Sequence, residues 1–259
     1  MTLQSILGSN YKWWYVSHFN FKSASAYFCS DIFYYINALF GSFLAIFIWS
    51  LSSKDTTETL QYLIFGNVLN GLTLMNNNWR LSGDIYDGKL SSKLILPMNL
   101  FAYYFFNVVA YCLKQSIIVV FYIPLIFIFQ VPVSLNWISI LLVLLIFPSI
   151  VLIKFFYNIM VGCLEFWFNG SYGIVSLTEN ISALLSGALI PLTMIPIGFL
   201  VNSPMAFLVH QPMQILLGKY SWSEILVVFV FGLIWSLVLF IIARIIFKLG
   251  LKKNEAVGL

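Results

Sequence analysis

Long, almost uncharged apolar runs dominate this sequence and leave it few ways to fold. Six of them fit a helix that crosses a bilayer, which needs about 20 apolar residues, at 27–51, 59–76, 98–128, 137–160, 170–190 and 224–247. Of the 259 residues, 61% are hydrophobic and 8% are charged, whereas soluble domains have about 25% charged residues. Such runs are not typical of the short alternating strands of a membrane barrel. The sequence therefore predicts one all-α integral membrane domain over residues 1–259, with six transmembrane helices.

The basic residues predict the orientation of these helices. If both termini lie in the cytoplasm, ten of the thirteen Lys and Arg residues fall on cytoplasmic segments or at cytoplasmic membrane edges. An excess of Lys and Arg on the cytoplasmic side is the rule for multi-pass membrane proteins. Topology thus explains the net charge of +4, and the charge gives no reason to expect a nucleic-acid partner.

Two segments outside the predicted spans have patterns of their own. Residues 1–25 place apolar and aromatic side chains at helical spacing, with Lys12 and Lys22 between them, which indicates a helix lying on the inner membrane surface. A plain membrane anchor is its simplest role. Residues 76–99 form the longest polar cytoplasmic segment, where we expect a soluble partner to dock. Its candidate contacts are Arg80, Asp84, Asp87, Lys89 and Lys93. The alternative is a solvated charged loop.

Among the charged residues in or beside predicted spans, Lys114, Glu179 and Glu165 are candidates for specific roles. Counting about 1.5 Å per residue from the inner helix ends puts Lys114 and Glu179 well inside the hydrocarbon layer. Charges at that depth are costly, and they pair with one another or line a pathway. We expect Lys114 and Glu179 to pair, within the chain or across a dimer, and to fix helix packing; lining a transport path is the alternative. Glu165 follows the fourth span, at an inner turn where it would face a soluble partner.

The residues that catalysis or metal binding requires are scarce. The chain has two histidines and three isolated cysteines, which leaves a zinc or di-iron site without ligands. Gly83, Gly88 and Lys89 have the spacing of a phosphate-binding loop, but Leu90 stands where a hydroxyl residue would hold Mg²⁺. The sequence therefore predicts no catalytic residue, no metal site and no cofactor site in this chain.

The apolar segment of residues 187–220 is broken by residues that disfavour helix. They are Gly187, Pro191, Pro196, Pro204 and Pro212. Because proline removes a backbone donor and blocks helix continuation, we expect Pro191 and Pro196 to end the fifth span. Broken backbone at membrane depth must be buried in protein or face a water-filled cavity. This segment is therefore expected to lie against the rest of the protein.

These features follow one another in an order that resembles a known family. "GKLSSKLILP" precedes the third span, "FW" follows the fourth, and "SGALIPLTMIP" and "SPMAFLVHQPMQILLG" lie between the fifth and sixth. Together they resemble the membrane subunits of type-2 permeases in ATP-binding cassette (ABC) exporters, from about Tyr35 to the last span. The matching positions are Gly88, Leu94, Pro97, Ser186, Gly187, Pro191, Leu192, Pro196, Pro204, Phe207, Pro212 and Gly218. Leu96 departs from the pattern, because the family often has a basic residue there.

The resemblance implies that two six-span subunits, identical or similar, rest on a dimer of separate cytoplasmic ATPases in a bacterial inner membrane. It places a coupling helix in residues 76–99 and short re-entrant helices in residues 187–220. The broken segment would then cap the subunit interface as an outer gate; a hydrophobic outer loop without gating is the alternative. ATP and Mg²⁺ would bind to the partner. The expected function is export of a hydrophobic or amphipathic substrate, such as a lipid, a peptide or a drug.

Two other classes of protein would also suit a helical membrane chain. A secondary transporter is expected to show broken spans in both halves, whereas only the second half is interrupted here. A non-transporting membrane protein, such as an immunity or scaffold factor, would need no partner ATPase. Co-purification of ATPase subunits would separate the exporter from both.

Overall fold

The computed structural model describes residues 28–52, 56–73, 75–95, 99–131, 136–195 and 198–253. Over these residues the chain is helical and contains no β-strand. Its α-helices are α1 (Phe28–Ser52), α2 (Thr56–Leu72), α3 (Asn77–Tyr86), α4 (Leu90–Leu94), α5 (Leu100–Gln115), α6 (Ile118–Ile128), α7 (Trp137–Gly162), α8 (Tyr172–Leu185), α9 (His210–Leu216) and α10 (Trp222–Lys253). Short 3₁₀ turns occupy Cys163–Phe166, Leu192–Met194, Gly198–Asn202 and Ala206–Leu208. The interfacial helix predicted for residues 1–25 lies outside the described residues.

Three helical stretches are long and apolar enough to cross a bilayer. They are Leu100–Ile128, Trp137–Phe166 and Trp222–Lys253, at the positions of the third, fourth and sixth predicted spans. Helices α1, α2 and α8 lie at the other three positions. With 17 and 14 residues, α2 and α8 are about 26 and 21 Å long, shorter than a hydrocarbon core of about 30 Å. The chain is thus a multi-pass helical membrane protein, and the count of six spans stays a prediction.

The third predicted span consists of two helices instead of one. Between α5 and α6 the bonding changes to the tighter i→i−3 pattern, in which the Val119 amide donates to the Ser116 carbonyl at 3.3 Å and the Val120 amide to the Ile117 carbonyl at 3.0 Å. The Ser116 hydroxyl donates to the Leu113 carbonyl at 2.7 Å. A side-chain hydroxyl bonded in this way competes with the backbone ladder and bends helices, which accounts for the break.

Helix α8 ends earlier than predicted, and glycine ends it instead of proline. The helix stops at Leu185, and Gly187 follows with φ +85°. The Ala188 amide donates to the Ala183 carbonyl, and the Gly187 amide to the Leu184 carbonyl, both at 3.2 Å. This is a Schellman motif, whose left-handed residue is usually glycine. The expectation that Pro191 and Pro196 end the fifth span is therefore wrong, because the chain has already turned.

Helix α7 is the centre of the packing, with α10 along one side and α3 across its inner end. Ile146, Ile150 and Ile153 of α7 belong to an apolar cluster that also includes α2, α10 and residues 205–215. Further along α7, Phe155 and Ile159 belong to a second cluster, which joins α3, α5 and the inner end of α10. A third cluster packs α6 against α1 and α2. The polar loop helix α3 is thus part of a core and not a projecting loop.

Candidate docking surface and membrane cavity

The carboxylate of Glu165 ties α3 to the inner turn between α7 and α8. Its Oε2 accepts a hydrogen bond from the Ser82 hydroxyl at 2.8 Å and from the Ser171 amide at 2.9 Å, and the Ser171 hydroxyl also donates to it. The Gly170 amide donates to Oε1 at 2.6 Å. Glu165 is only 3% exposed. The prediction that Glu165 faces a soluble partner is therefore wrong, because its oxygens hold the fold together.

Asp84 likewise faces inward. Its carboxylate forms an ion pair with Lys93 of the next helix and accepts a hydrogen bond from the Tyr104 hydroxyl of α5 at 2.5 Å. Asp84 is 9% exposed, and the Lys93 ammonium lies 5.4 Å from the centre of the Tyr104 ring. The two residues join α3, α4 and α5. The prediction that Asp84 contacts a partner directly is wrong, and Lys93 serves mainly as its counter-ion.

Arg80, Asp87 and Lys89 are exposed, and their role in docking stays a prediction. The Arg80 guanidinium donates to Asn107 Oδ1 at 3.1 Å. Lys89 Nζ lies 2.6 Å from Asp87 Oδ2, and the hydrogen bond and charge of Asp87 raise the pKa of Lys89 above its ordinary value. This pair is solvent-exposed, so its contribution to stability is small.

Apolar side chains share this exposed surface with the charges. Ile95 is 84% exposed, Tyr86 58% and Leu94 45%, and Tyr172 of α8 lies edge-on to Tyr86 with ring centres 6.1 Å apart. We define the α3–α4 surface as Tyr86, Asp87, Lys89, Leu94, Ile95 and Tyr172. Sequence reasoning singled out the charges of this segment and missed its apolar half.

The structure gives Glu179 neutral partners instead of Lys114. Glu179 Oε1 accepts hydrogen bonds from the side-chain Nδ2 of Asn78 at 2.8 Å and from the Trp79 indole at 2.7 Å. Lys114 is buried in α5, and none of the ion pairs among the described residues joins it to Glu179. The expected pair within one chain is therefore wrong. Pairing across two copies stays a prediction.

Glu179 instead lines a polar cavity of about 380 Å³ together with Lys154 of α7. The two charges interact electrostatically, and the described ion pairs and hydrogen bonds leave the Lys154 ammonium unused. The remaining lining is largely amide and aromatic, from Asn70, Asn76, Trp79, Tyr111, Tyr157, Asn158 and Asn180. The sequence signal was a lysine inside the predicted span 137–160, six residues before its end. Sequence reasoning counted Lys154 only as one more basic residue on the inner side.

An apolar groove of about 370 Å³ runs between α2, α7 and α9. Its lining contains no charged side chain and consists of Phe65, Val68, Leu69, Leu72, Ile140, Val143, Leu144, Phe147, Pro212, Met213 and Leu216. Both the groove and the polar cavity use α2 and α7. The groove thus extends toward the segment of residues 187–220, which contains α9.

The segment of residues 187–220 is folded against α2. A Cβ atom added to Gly187 would lie 2.5 Å from the Tyr62 hydroxyl oxygen, and that hydroxyl lies 3.2 Å from His210 Nδ1. The His210 amide donates to the Ser186 carbonyl at 3.0 Å, which closes the segment on itself. The prolines Pro191 and Pro212 are buried, Pro204 is half-buried, and Pro196 lies outside the described residues. Residues 205–215 of this segment are buried by protein, whereas Leu189, Met194 and Phe199 are exposed.

A comparison with family models identifies the membrane part of this chain. Residues 26–258 match the model of the ABC-2 family transporter protein, which covers all the described helices. No curated protein and no solved structure matches the chain. The all-helical fold with its long apolar helices agrees with that family. The chain therefore belongs to the ABC-2 transporter family and is a transmembrane permease component of an ABC transporter.

Proposed function

We propose that this chain is the permease subunit of an exporter that moves a hydrophobic or amphipathic substrate out of the cytoplasm. A separate cytoplasmic ATPase dimer supplies the energy, and a second copy or a similar subunit completes the passage. The ATPase binds ATP and Mg²⁺, and this chain contributes no bond chemistry. Family membership supports the transport role, and the resemblance of the sequence supports the direction and the location in a bacterial inner membrane.

The α3–α4 surface is the observation that carries the proposal. Exposed apolar groups such as Tyr86 and Ile95 are unusual on a polar loop, and contiguous patches of this kind mark interaction sites. The distribution of Lys and Arg supports a cytoplasmic position for this segment, away from lipid. A cytoplasmic protein is therefore the partner that would cover it.

Buried contacts beneath the α3–α4 surface can transmit a displacement of α3 to the neighbouring helices. A Cβ atom on Gly162 of α7 would lie 2.9 Å from the Asn78 carbonyl oxygen, so α3 and α7 touch backbone to backbone. Glu165 and Asp84 add polar ties to the inner turn and to α5. A partner that moves α3 moves the inner ends of α5 and α7 with it, as in other rigid-body transitions.

Replacing Tyr86 and Ile95 together by Ser tests this function. We expect the double variant to lose the ATPase subunits that co-purify with the wild-type chain, because both apolar side chains that would anchor the interface are removed. The thermal midpoint should stay the same, since both side chains are exposed. Phe199→Ser is the matched control, because Phe199 is 76% exposed but lies in the segment of residues 187–220.

Three results would contradict the proposal. They are a wild-type chain that carries no ATPase, ATP cleavage by the isolated chain, or full ATPase binding by the double variant. Replacing residues 84–93 as a block is a less specific experiment. Because Asp84 and Leu90 are buried, the replacement would also disrupt the packing of α3 and α4. The secondary-transporter alternative predicts transport without the ATPase, and the scaffold alternative predicts no transport at all.

A further inference from the structure

The polar cavity and the apolar groove lie along the same face of α7. Ile140, Leu144 and Phe147 line the groove, and Lys154 and Asn158 line the cavity. These positions are separated by four, three, seven and four residues, the spacing of one helix stripe. From Ile140 to Lys154 the stripe is about 21 Å long at 1.5 Å per residue. A molecule of at least this length is needed to contact both parts.

Helix α2 lines both parts, with different faces. Phe65, Leu69 and Leu72 face the groove, while Asn70 lines the cavity. Met213 of α9 lines the groove as well. Along α7 the site is thus polar near the C-terminal end and apolar toward the N-terminal end, and α9 bounds the apolar part. This polarity fits an amphipathic molecule whose head lies in the cavity.

The unused atoms of the cavity define the chemistry of that head. Oε1 of Glu179 accepts two hydrogen bonds, whereas no described residue donates to Oε2. The Lys154 ammonium is unused by any described residue. The cavity thus offers one acceptor with negative charge and one donor with positive charge. A ligand that bonds to both of these atoms gains two charge-assisted hydrogen bonds.

We propose that the cavity binds the zwitterionic head of a single-chain amphipathic substrate, with its anionic group on Lys154, its ammonium on Glu179 and its tail in the apolar groove. The phosphate of a lysophospholipid and the carboxylate of a lipidated amino acid share this chemistry. That this ligand is a substrate rests on the proposed transport function. Its test measures binding alone, without ATP, so its failure is distinct from failure to co-purify an ATPase.

Photolabelling tests this site in the full chain as purified from its membrane, with its companions. The probe is lysophosphatidylethanolamine whose 12-carbon chain ends in a diazirine, and mass spectrometry locates the label. We expect label on groove residues such as Val143, Leu144 or Met213. Unlabelled lysophosphatidylethanolamine and Nε-dodecanoyl-lysine compete, and the stronger of the two identifies the anion as phosphate or carboxylate. Dodecanoylglycerol, which is uncharged, and dodecanoate, which is only anionic, compete about tenfold less well, because each lacks a charge-assisted bond.

Variants of the two charges complete the test. Lys154→Met and Glu179→Gln should each reduce labelling about tenfold, while Lys154→Arg keeps most of it and the size-exclusion profile reports folding. Lys219→Met removes the same charge from an exposed outer pair with Glu58 and should label as wild type. The proposal is overturned if uncharged or purely anionic competitors equal the zwitterions. Unchanged labelling in both charge variants, or label only outside the groove, also overturns it.

Discussion

Glu165 stabilises the inner end of the protein through both of its carboxylate oxygens. Donors reach it from Ser82 of α3 and from Gly170 and Ser171 of the following turn. Each hydrogen bond to a charged group contributes about 1.5–3 kcal/mol. A residue of this kind is conspicuous in the sequence because of its charge, but its effect is on the position of α3.

Replacing Glu165 by Ala should lower the thermal midpoint of the purified protein by about 6 °C or more, because buried donors lose their acceptor. The midpoint in detergent, followed by size-exclusion chromatography after heating, measures this. Glu58→Ala is the control, since Glu58 is bonded to Lys219 at 2.5 Å but its side chain is 64% exposed. Solvent-exposed ion pairs contribute about 0–1 kcal/mol to the free energy of unfolding. An unchanged midpoint with lost ATPase binding would make Glu165 a partner contact instead.

The charged residues show that one sequence does not determine which charged side chains are buried. Asp84 and Asp87 are three residues apart, and nothing local distinguishes them. Asp84 is buried because Tyr104 and Lys93 happen to reach it, and those contacts are tertiary. The cavity position of Lys154 was missed for the same reason, because the cavity forms only where α7 meets α8. Residue type gave the list of charged candidates, and the fold decided which of them turn inward.

Among the elements, α10 and the inner turn meet at a contact that tolerates no side chain. A Cβ atom built on Gly250 would lie 2.1 Å from Phe166 Cδ2. The Phe166 ring also packs against Phe247, with ring centres 6.1 Å apart. Glycine at this position therefore lets the inner end of α10 approach the turn that Glu165 anchors.

Gly250→Ala should destabilise the protein by about 1–3 kcal/mol through overpacking. Adding Phe166→Ala should restore part of that loss, because the small side chain makes room for the new methyl group. Thermal midpoints of the two single variants and the double variant form the cycle that isolates this coupling. Gly173→Ala in α8 is the control, since a Cβ atom there meets nothing within 4 Å. Additive midpoint changes in the cycle would refute the contact.

Helix positions were largely predictable, and helix ends were less so. The predicted spans 27–51 and 137–160 are close to α1 and α7, because long apolar runs have no other stable form in lipid. The end of α8 was misplaced, since proline is the stronger signal in a sequence but Gly187 turns the chain first. The break after Gln115 was missed because Ser116 acts through its hydroxyl and resembles any small polar residue.

For the whole molecule, orientation is the property that the positive-inside pattern predicts most directly. Lys253 and Ser223 are exposed residues near opposite ends of α10. In intact cells, Ser223→Cys should react with a membrane-impermeant thiol reagent, whereas Lys253→Cys should react only after permeabilisation. The wild-type chain measures the background from native cysteines. Labelling of both positions from the same side would show that α10 does not cross the bilayer or that the orientation is reversed.

The joint between α5 and α6 divides one membrane crossing into two mechanically separate parts. Helix α5 is tied to α3 through Asp84 and Asn107, whereas α6 packs against α1 and α2 around Tyr122. The bonds between them include ones of 3.3 and 3.4 Å, and 3₁₀ stretches inside helices often mark hinges. A tilt at Ser116 therefore shifts α5 and α3 relative to α6, α1 and α2 while the packing within each group stays intact.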